Sequence, residues 1–380
     1  MRGWFKKGVD AYLNLKSFKT DKPYVIIESD DWGSLRTRDK NTRDKLNAIN
    51  PKIKNDSYIQ LDSIATQEDL EALFEVLNSV NDVNGNPACI TANICTANPD
   101  FKAIKLSGYK DFIYRPFTET LEEYTKGKSL FKIWQSGNKE KLFKPQLHGR
   151  EHVHAMAWLK ELRAGNTDLL KAFELESWGI PYKALIKQRR TNLQAALDNY
   201  NYNAESEYHK EWIRDSASIF KSSFGYDSLS FIAPAYTWHS DLHKTLAQTG
   251  IKTLQGIKLQ YQPKPNSKPS YKRKPHYIGE VDKKSGLIYT NRNAFFEPHI
   301  APDKDWVDIS LSGVKKAFDN NNPAILSSHR INYIGRLDEK HRDKNLKMFK
   351  AILKKITINY PDVEFIDSSK LAGLLIKKNN

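Results

Sequence analysis

The chain has 380 residues, of which 39% are hydrophobic, and its 60 Lys and Arg against 45 Asp and Glu give a formal charge of +15. This hydrophobic content can fill a large core, which excludes a disordered or low-complexity chain. The sequence contains no run of about 18 consecutive apolar residues, which excludes a transmembrane helix. Residues 1–19 lack the apolar region and cleavage site of a signal peptide, so we expect a cytoplasmic protein.

Residues 1–20 are the first predicted element, an amphipathic helix. Trp4, Phe5 and Val9 follow helical spacing and have lysines around them. A helix of this kind either lies peripherally on an anionic membrane, here at the inner face, or caps the fold.

Beyond the N-terminal helix, short apolar runs alternate with helical patterns, which predicts an α/β architecture with a mainly parallel sheet. The predicted strands are Tyr24–Glu28, Ser57–Leu61, Ala88–Ile94, Phe143–Leu147, Leu229–Ile232, Thr253–Gly256, Gly286–Thr290, Ala324–Ser328 and Val363–Ile366. The predicted helices are Gln67–Val80, Thr118–Tyr124, His152–Arg163, Glu205–Ser222, Asp241–Thr249, Trp306–Asn320, Glu339–Lys355 and Ser368–Ile376. About seven strand–helix units predict a distorted or incomplete (β/α) barrel in one domain over residues 21–380, with a doubly wound open sheet as the alternative.

Two predicted insertions interrupt this alternation. Residues 173–203 are polar, aromatic and basic, which predicts a helical insertion. Residues 261–276 include the basic, Pro-rich run Gln262–His276, which predicts an extended exposed loop. The run lacks the interleaved aromatic residues of a single-strand nucleic-acid groove, so we expect no nucleic-acid partner. The surplus charge then predicts attraction to an anionic glycan or lipid.

The first polar cluster, Glu28-Ser29-Asp30-Asp31-Trp32-Gly33, directly follows an apolar strand. Like charges raise each other's pKa, so two adjacent carboxylates at a strand end favour a bound cation. Helix capping is the alternative role of the Asp pair.

The second cluster, His148-Gly149-Arg150-Glu151-His152-Val153-His154, contains three of the ten histidines of the chain. Imidazoles four residues apart can hold one divalent ion, which predicts a metal site. The letters also fit the H-x-x-E-H motif of a peptidase, but Pro145 and Gly149 disfavour the helix that this motif requires.

Two further clusters follow later strands. Tyr236 and Trp238 lie in an aromatic loop suited to stacking on a sugar ring. His329 and Arg330 follow the strand Ala324–Ser328, where a histidine can act as a general acid or base. Because parallel strands of a barrel end at one face, we expect the four clusters to meet in one pocket.

The first two clusters resemble the polysaccharide deacetylase superfamily, the NodB-homology carbohydrate esterases with a distorted (β/α) barrel. Glu28-Ser29-Asp30-Asp31 is similar to the family's Thr-Phe-Asp-Asp motif, and His148-Gly149-Arg150-Glu151-His152 keeps the spacing of its His-Ser/Thr-x-x-His motif. The resemblance implies that Asp30 is the catalytic base. It also implies that Asp31, His148 and His152 bind a divalent metal, with zinc as the first choice.

The later motifs are similar to the family's in part. Ile232-Ala233-Pro234-Ala235-Tyr236 lacks the Arg of the family's Arg-x-Pro-Tyr, so Arg292 or Arg330 is predicted to orient the catalytic Asp instead. Leu326-Ser327-Ser328-His329 has one residue more than Leu-x-His, and the resemblance makes His329 the catalytic acid. The pattern is most similar to divergent members from bacterial surface-polysaccharide (exopolysaccharide) gene clusters.

The resemblance implies a metal-dependent hydrolase that removes N- or O-acetyl groups from a polysaccharide or a lipid-linked glycan. One alternative is a glycoside hydrolase on the same fold that uses Asp30 and Glu297 as its two carboxylates. Another is a glycan-binding protein without catalysis. The predicted substrate-binding residues are Trp32, His154, Tyr236, Trp238, Arg292, Glu297 and Arg330.

Overall fold

The computed structural model describes residues 11–181, 193–198, 202–264 and 270–379. Its strands are β1 (Tyr24–Trp32), β2 (Ile90–Cys95), β3 (Ala97–Pro99), β4 (Tyr114–Pro116), β5 (Phe143–Gly149), β6 (Ser230–Ile232), β7 (Thr253–Gly256), β8 (Leu259–Pro263), β9 (Tyr271–Pro275), β10 (Ile288–Asn291), β11 (Ala294–Phe295), β12 (Ala324–His329) and β13 (Glu364–Phe365).

Helices surround the strands. They are α1 (Lys40–Ile49), α2 (Ser57–Leu61), α3 (Gln67–Asn78), α4 (Phe101–Leu106), α5 (Phe117–Glu123), α6 (Leu130–Lys139), α7 (Ala155–Arg163), α8 (Thr167–Glu174), α9 (Tyr202–Phe224), α10 (His243–Gln248), α11 (Trp306–Phe318), α12 (Glu339–Asn359) and α13 (Ser368–Asn379). Short 3₁₀ turns occur at Pro51–Asn55, Pro234–Tyr236, Ser240–Leu242 and Arg330–Asn332.

The main sheet is parallel and curls into a half-barrel with the order β10-β7-β6-β5-β2-β1-β12-β11, and β13 adds to β1. Every residue of β1 and of β2 is buried, as expected for central strands covered on both faces. The predicted α/β fold with an incomplete barrel is therefore confirmed. Strands β3–β4 and β8–β9 form two separate antiparallel pairs, which the sequence did not predict.

The predicted strand Ser57–Leu61 is wrong, because these residues form helix α2. The side chain of Asp56 accepts a hydrogen bond from the Ile59 amide and so caps the helix at its N-terminus. A mixed polar and apolar segment of five residues is too short for its periodicity to distinguish a strand from a helical turn, and here the cap decides.

The predicted insertions and the N-terminal helix are described in part. Residues 182–192, 199–201 and 265–269 lie outside the described ranges, and so do residues 1–10. Within the second insertion, Tyr271–Pro275 form strand β9, which pairs with β8, so this described part of the predicted loop is a strand. Residues 11–16 are helical and bury Leu13. Among the described helices, none combines the length and the hydropathy needed to cross a bilayer.

Candidate metal centre and catalytic cleft

The end of β1 places Asp30 and Asp31 in the same cleft, although neighbouring side chains of a regular strand point to opposite faces. The register between β1 and β2 shifts between Ser29 and Trp32, and the backbone of Asp31 has a φ of 73°. A left-handed conformation in a residue other than glycine costs about 1–3 kcal/mol and is concentrated at functional sites. The irregularity at the end of β1 is therefore what brings the two carboxylates together.

The end of β5 supplies two imidazoles. His148 belongs to the strand, and Gly149 turns the chain with a φ of 106° so that His152 comes back beside it. A Cβ on Gly149 would lie 1.8 Å from the Trp212 ring, so only glycine fits there. Residues 150–154 are not helical, so the arrangement differs from the helix of an H-x-x-E-H peptidase.

Asp31, His148 and His152 form a buried group whose potential ligand atoms lie within 4.8 Å of one another. The Nε2 atoms of His148 and His152 are 3.4 and 3.3 Å from Asp31 Oδ1. Neither Asp31 oxygen has a hydrogen-bond partner among the described residues. His148 Nδ1 lies 3.0 Å from the carbonyl oxygen of Ile232, which leaves Nε2 to face Asp31. Two imidazoles and one carboxylate that accepts no hydrogen bond from the described residues are a donor set that suits a divalent ion such as zinc.

The charges of this group are set by burial and by its neighbours. Burial alone would raise the pKa of Asp31, but the His152 and His148 imidazoles and the Arg36 guanidinium hold it well below its usual range. Burial lowers the pKa of His152 to about 3. An ionised carboxylate beside a neutral imidazole is the protonation state that binds a metal.

Asp30 is held by a different set of contacts. Arg292 donates from Nη2 to Oδ1 at 2.6 Å and from Nη1 to Oδ2 at 2.7 Å, while its Nε donates to Glu28 at 2.8 Å. Asn93 Nδ2 donates to Oδ1 at 2.7 Å. Burial would raise the pKa of Asp30, but these contacts with Arg292 hold it at about 2. Of the two arginines predicted to orient Asp30, Arg292 is the one that contacts it.

His329 lies opposite Asp30 because β1 and β12 are neighbours and these two residues are in register. Its Nδ1 is 2.8 Å from Glu297 Oε1, and its Nε2 is 3.7 Å from Asp30 Oδ2. Burial would lower the pKa of His329, but Glu297, Asp30 and Asp31 together raise it to about 9. The imidazole is therefore a proton donor at neutral pH.

The Asp31, His148 and His152 group lines a cleft of about 220 Å³ together with Asp30 and His329. Its lining comprises Asp30, Asp31, Arg36, Tyr58, His148, His152, Gln194, Ala233, Ala235, Tyr236 and His329. A second cavity of about 560 Å³ shares Tyr236 and His329 with the cleft and adds Arg292 and Glu297. Three of the predicted substrate-binding residues, Tyr236, Arg292 and Glu297, thus border space that adjoins the cleft.

The other four residues predicted to bind substrate do not line the cleft or the cavity beside it. Trp32 is fully buried and packs edge-on against Trp134 and Phe143. Trp238 is buried and donates from Nε1 to His243. Each lies within two residues of a cleft residue but is buried in the packed interior.

Arg330 and His154 are the remaining two. Arg330 is buried, donates to Asp62 at 2.7 Å and is a structural ion pair. His154 caps helix α7 and lies in a separate cluster with Glu205. Proximity along the chain suggested these residues, whereas the direction of each side chain takes it away from the cleft.

Sequence reasoning missed Arg36 and Tyr58, which line the cleft, and Asn93, which contacts Asp30 from behind the lining. Arg36 lies between the rings of Tyr58 and Trp178, with its guanidinium carbon 4.6 and 4.7 Å from their centroids, and its Nη2 is 3.6 Å from Asp31 Oδ2. Tyr58 was hidden by the wrong strand assignment. Asn93 lies in the middle of an apolar β2, where a buried polar residue was the available signal.

No protein-family model matches the chain, and no curated protein matches it. A solved structure assigned as a polysaccharide deacetylase from Mycobacterium smegmatis covers 96% of this chain and 93% of its own, with 9% identity and a TM-score of 0.48. A solved structure from Parabacteroides distasonis, assigned as a glycoside hydrolase/deacetylase, covers 96% of this chain and 73% of its own, with 11% identity and a TM-score of 0.49.

A 4-alpha-glucanotransferase from Thermococcus litoralis covers 92% of this chain and 40% of its own, with 12% identity and a TM-score of 0.40. These values are too low to place the chain in a family. The case for a function therefore depends on the chain's own side chains.

Proposed function

We propose that the protein is a metal-dependent carbohydrate deacetylase that removes N- or O-acetyl groups from a polysaccharide or lipid-linked glycan. The observation that carries the proposal is the pairing of two adjacent buried carboxylates with different surroundings. Asp31 faces His148 and His152 without a hydrogen-bond partner among the described residues, while Asp30 is gripped by Arg292 beside His329.

Asp31, His148 and His152 would hold the ion, with zinc as the expected metal. A divalent ion supplies a Lewis acid for an acyl carbonyl and makes water a better nucleophile at neutral pH. The imidazole Nε2 atoms and the Asp31 oxygens face one another within the cleft, and the other nitrogen of His148 is fixed by the Ile232 carbonyl. That second contact orients the ring.

Hydrolysis of an acetyl group needs a base for the proton of the attacking water and an acid for the departing nitrogen or oxygen. Asp30 Oδ2 accepts one hydrogen bond from Arg292 at 2.7 Å and keeps lone-pair capacity toward the cleft, so it can take the proton. Arg292 is a positioning residue that keeps Asp30 ionised. His329, protonated and held through Nδ1 by Glu297, presents its Nε2 to the cleft as the acid.

The glycoside hydrolase alternative requires one protonated carboxyl group as its acid. Asp30 and Glu297 do not suit that role. Burial would raise both pKa values, but Arg292 lowers that of Asp30 and His329 lowers that of Glu297. These charges favour deacetylation over glycosidic cleavage.

The test compares purified wild type with the double variant His148→Ala, His152→Ala. His341→Ala is the control, because His341 is a histidine on α12 that does not line the cleft. Zinc content by mass spectrometry and acetate release from acetylated oligosaccharides are measured together. We expect the double variant to lose the cleft zinc and roughly a thousandfold in kcat/KM, since Lewis-acid assistance is worth several kcal/mol.

Three results would contradict the proposal. The first is that wild type binds no metal at Asp31, His148 and His152. The second is formation of new reducing ends without acetate, which supports the glycoside hydrolase. The third is bound zinc without turnover of any acetylated glycan, which supports a binding protein.

A further inference from the structure

A second cluster of buried metal-ligating side chains lies outside the cleft. His154 follows the β5 loop at the N-cap of α7, and Glu205 and His209 lie on α9. Glu205 and His209 are four residues apart and share one face of the helix. The potential ligand atoms of the three residues lie within 4.8 Å of one another, and all three residues are 2% exposed or less.

His209 is the member of the cluster whose surroundings need explanation. Neither of its ring nitrogens has a hydrogen-bond partner in the part of the chain that the structure describes. A buried imidazole without a hydrogen bond loses its hydration with nothing in return, and such exceptions are rare in folded proteins. The centroid of the His154 ring is 6.2 Å from that of His209. The His154 ring and the Glu205 carboxylate supply two further potential ligand atoms for an ion bound to His209.

We propose that His154, Glu205 and His209 bind a second divalent ion of the zinc class, separate from the cleft and structural in role. Two imidazoles and a carboxylate suit zinc, and a bound cation would satisfy the His209 ring. The burial of all three side chains leaves no room for a carbohydrate, which argues against a second catalytic centre.

The proposal has one identifiable cost. His154 Nδ1 accepts a hydrogen bond from the Ala157 amide at 3.2 Å. Ligation through Nε2, which lies 3.9 Å from Glu205 Oε2, places the ring proton on Nδ1 and breaks that bond. One neutral hydrogen bond is small beside the binding free energy of a structural zinc ion.

The consequence concerns the catalytic cleft. His152 and His154 belong to the same short loop, so an ion on His154 ties this loop to helix α9. Trp212 on the same helix contacts the position of Gly149, where the loop begins. The second ion would thus position the loop that carries His152.

The experiment counts zinc. Full-length protein is loaded with Zn²⁺, passed over a chelating resin and analysed by mass spectrometry. We expect two equivalents in wild type and one in His209→Ala or Glu205→Gln. Glu207→Gln, two residues away with an exposed side chain, is the matched control and should keep two.

Combining His209→Ala with His148→Ala and His152→Ala should leave no zinc. A wild type with one equivalent that is unchanged in Glu205→Gln overturns the second site, and so does a wild type with two equivalents that both survive in Glu205→Gln. If the cleft double variant keeps its zinc while His209→Ala loses it, the proposed cleft metal fails and the second site stands. If His209→Ala does not fold, the comparison of wild type with Glu205→Gln decides.

Discussion

Asp30 and Asp31 are adjacent, and both are almost fully buried, but their carboxylate oxygens differ in hydrogen bonding. Asp30 receives three hydrogen bonds from Arg292 and Asn93. Asp31 receives none from the described residues and faces two imidazoles at 3.3 and 3.4 Å. Buried charges are normally either paired or metal-bound. Asp31 also has a guanidinium nearby, since Arg36 Nη2 lies 3.6 Å from its Oδ2. The contrast therefore lies in hydrogen bonding: the fold satisfies the Asp30 oxygens, whereas it leaves the Asp31 oxygens open to an ion.

The largest effect on the free energy of unfolding is expected from removing the Arg292 guanidinium, which pairs with Asp30. Arg292→Met leaves Glu28 and Asp30 buried without their shared partner, and breaking a buried ion pair in this way costs about 3–5 kcal/mol. The free energy of unfolding in urea measures it. The control Arg115→Met breaks the partly exposed pair with Glu123 and should cost less than about 1 kcal/mol. Equal losses in the two variants would mean that Arg292 does not neutralise the Asp30 side.

A smaller effect separates the two carboxylates directly. With zinc removed by a chelator, Asp30→Asn should cost about 2–3 kcal/mol because it weakens hydrogen bonds to a charged group, whereas Asp31→Asn should stay within about 1 kcal/mol of wild type. Zinc binding should respond in the opposite sense, with retention in Asp30→Asn and loss in Asp31→Asn. Equal destabilisation by Asp30→Asn and Asp31→Asn would show that hydrogen bonds stabilise the Asp30 carboxylate no more than the Asp31 carboxylate.

Much of this site could be predicted because it depends on strand ends. Asp30, Asp31, His148 and His329 each follow or end an apolar run, and a parallel sheet brings such positions to one edge whatever the details of packing. The sheet itself was predictable for the same reason, since its strands are short apolar runs separated by helices.

The direction of individual side chains could not be predicted in this way. The positive φ of Asp31 and the register shift in β1 reverse the usual alternation, so Asp31 points into the cleft and Trp32 packs inside. Arg36 and Asn93 reach the site through tertiary contacts with no local pattern. At position 149 the distant Trp212 ring leaves no space for a Cβ, and no local spacing reveals this requirement for glycine.

The smallest effect concerns the proton on His329, which extends the comparison to the group opposite Asp30. Its pKa is raised above the ordinary value, so the acid form is present at low pH and is lost as the pH rises through the folded pKa. The alkaline limb of kcat/KM therefore reports this loss in the free enzyme.

Glu297→Gln keeps a hydrogen-bond acceptor for His329 Nδ1 but removes the negative charge 2.8 Å away. The alkaline limb should move to lower pH by about one unit, which corresponds to roughly 1.4 kcal/mol of lost charge stabilisation. Glu280→Gln is the matched control, because Glu280 pairs with His276 outside the cleft at 3.0 Å and should leave the limb in place. An unmoved limb in Glu297→Gln would show that His329 is not the acid. The same shift in both variants would assign it to net charge rather than to the contact between Glu297 and His329.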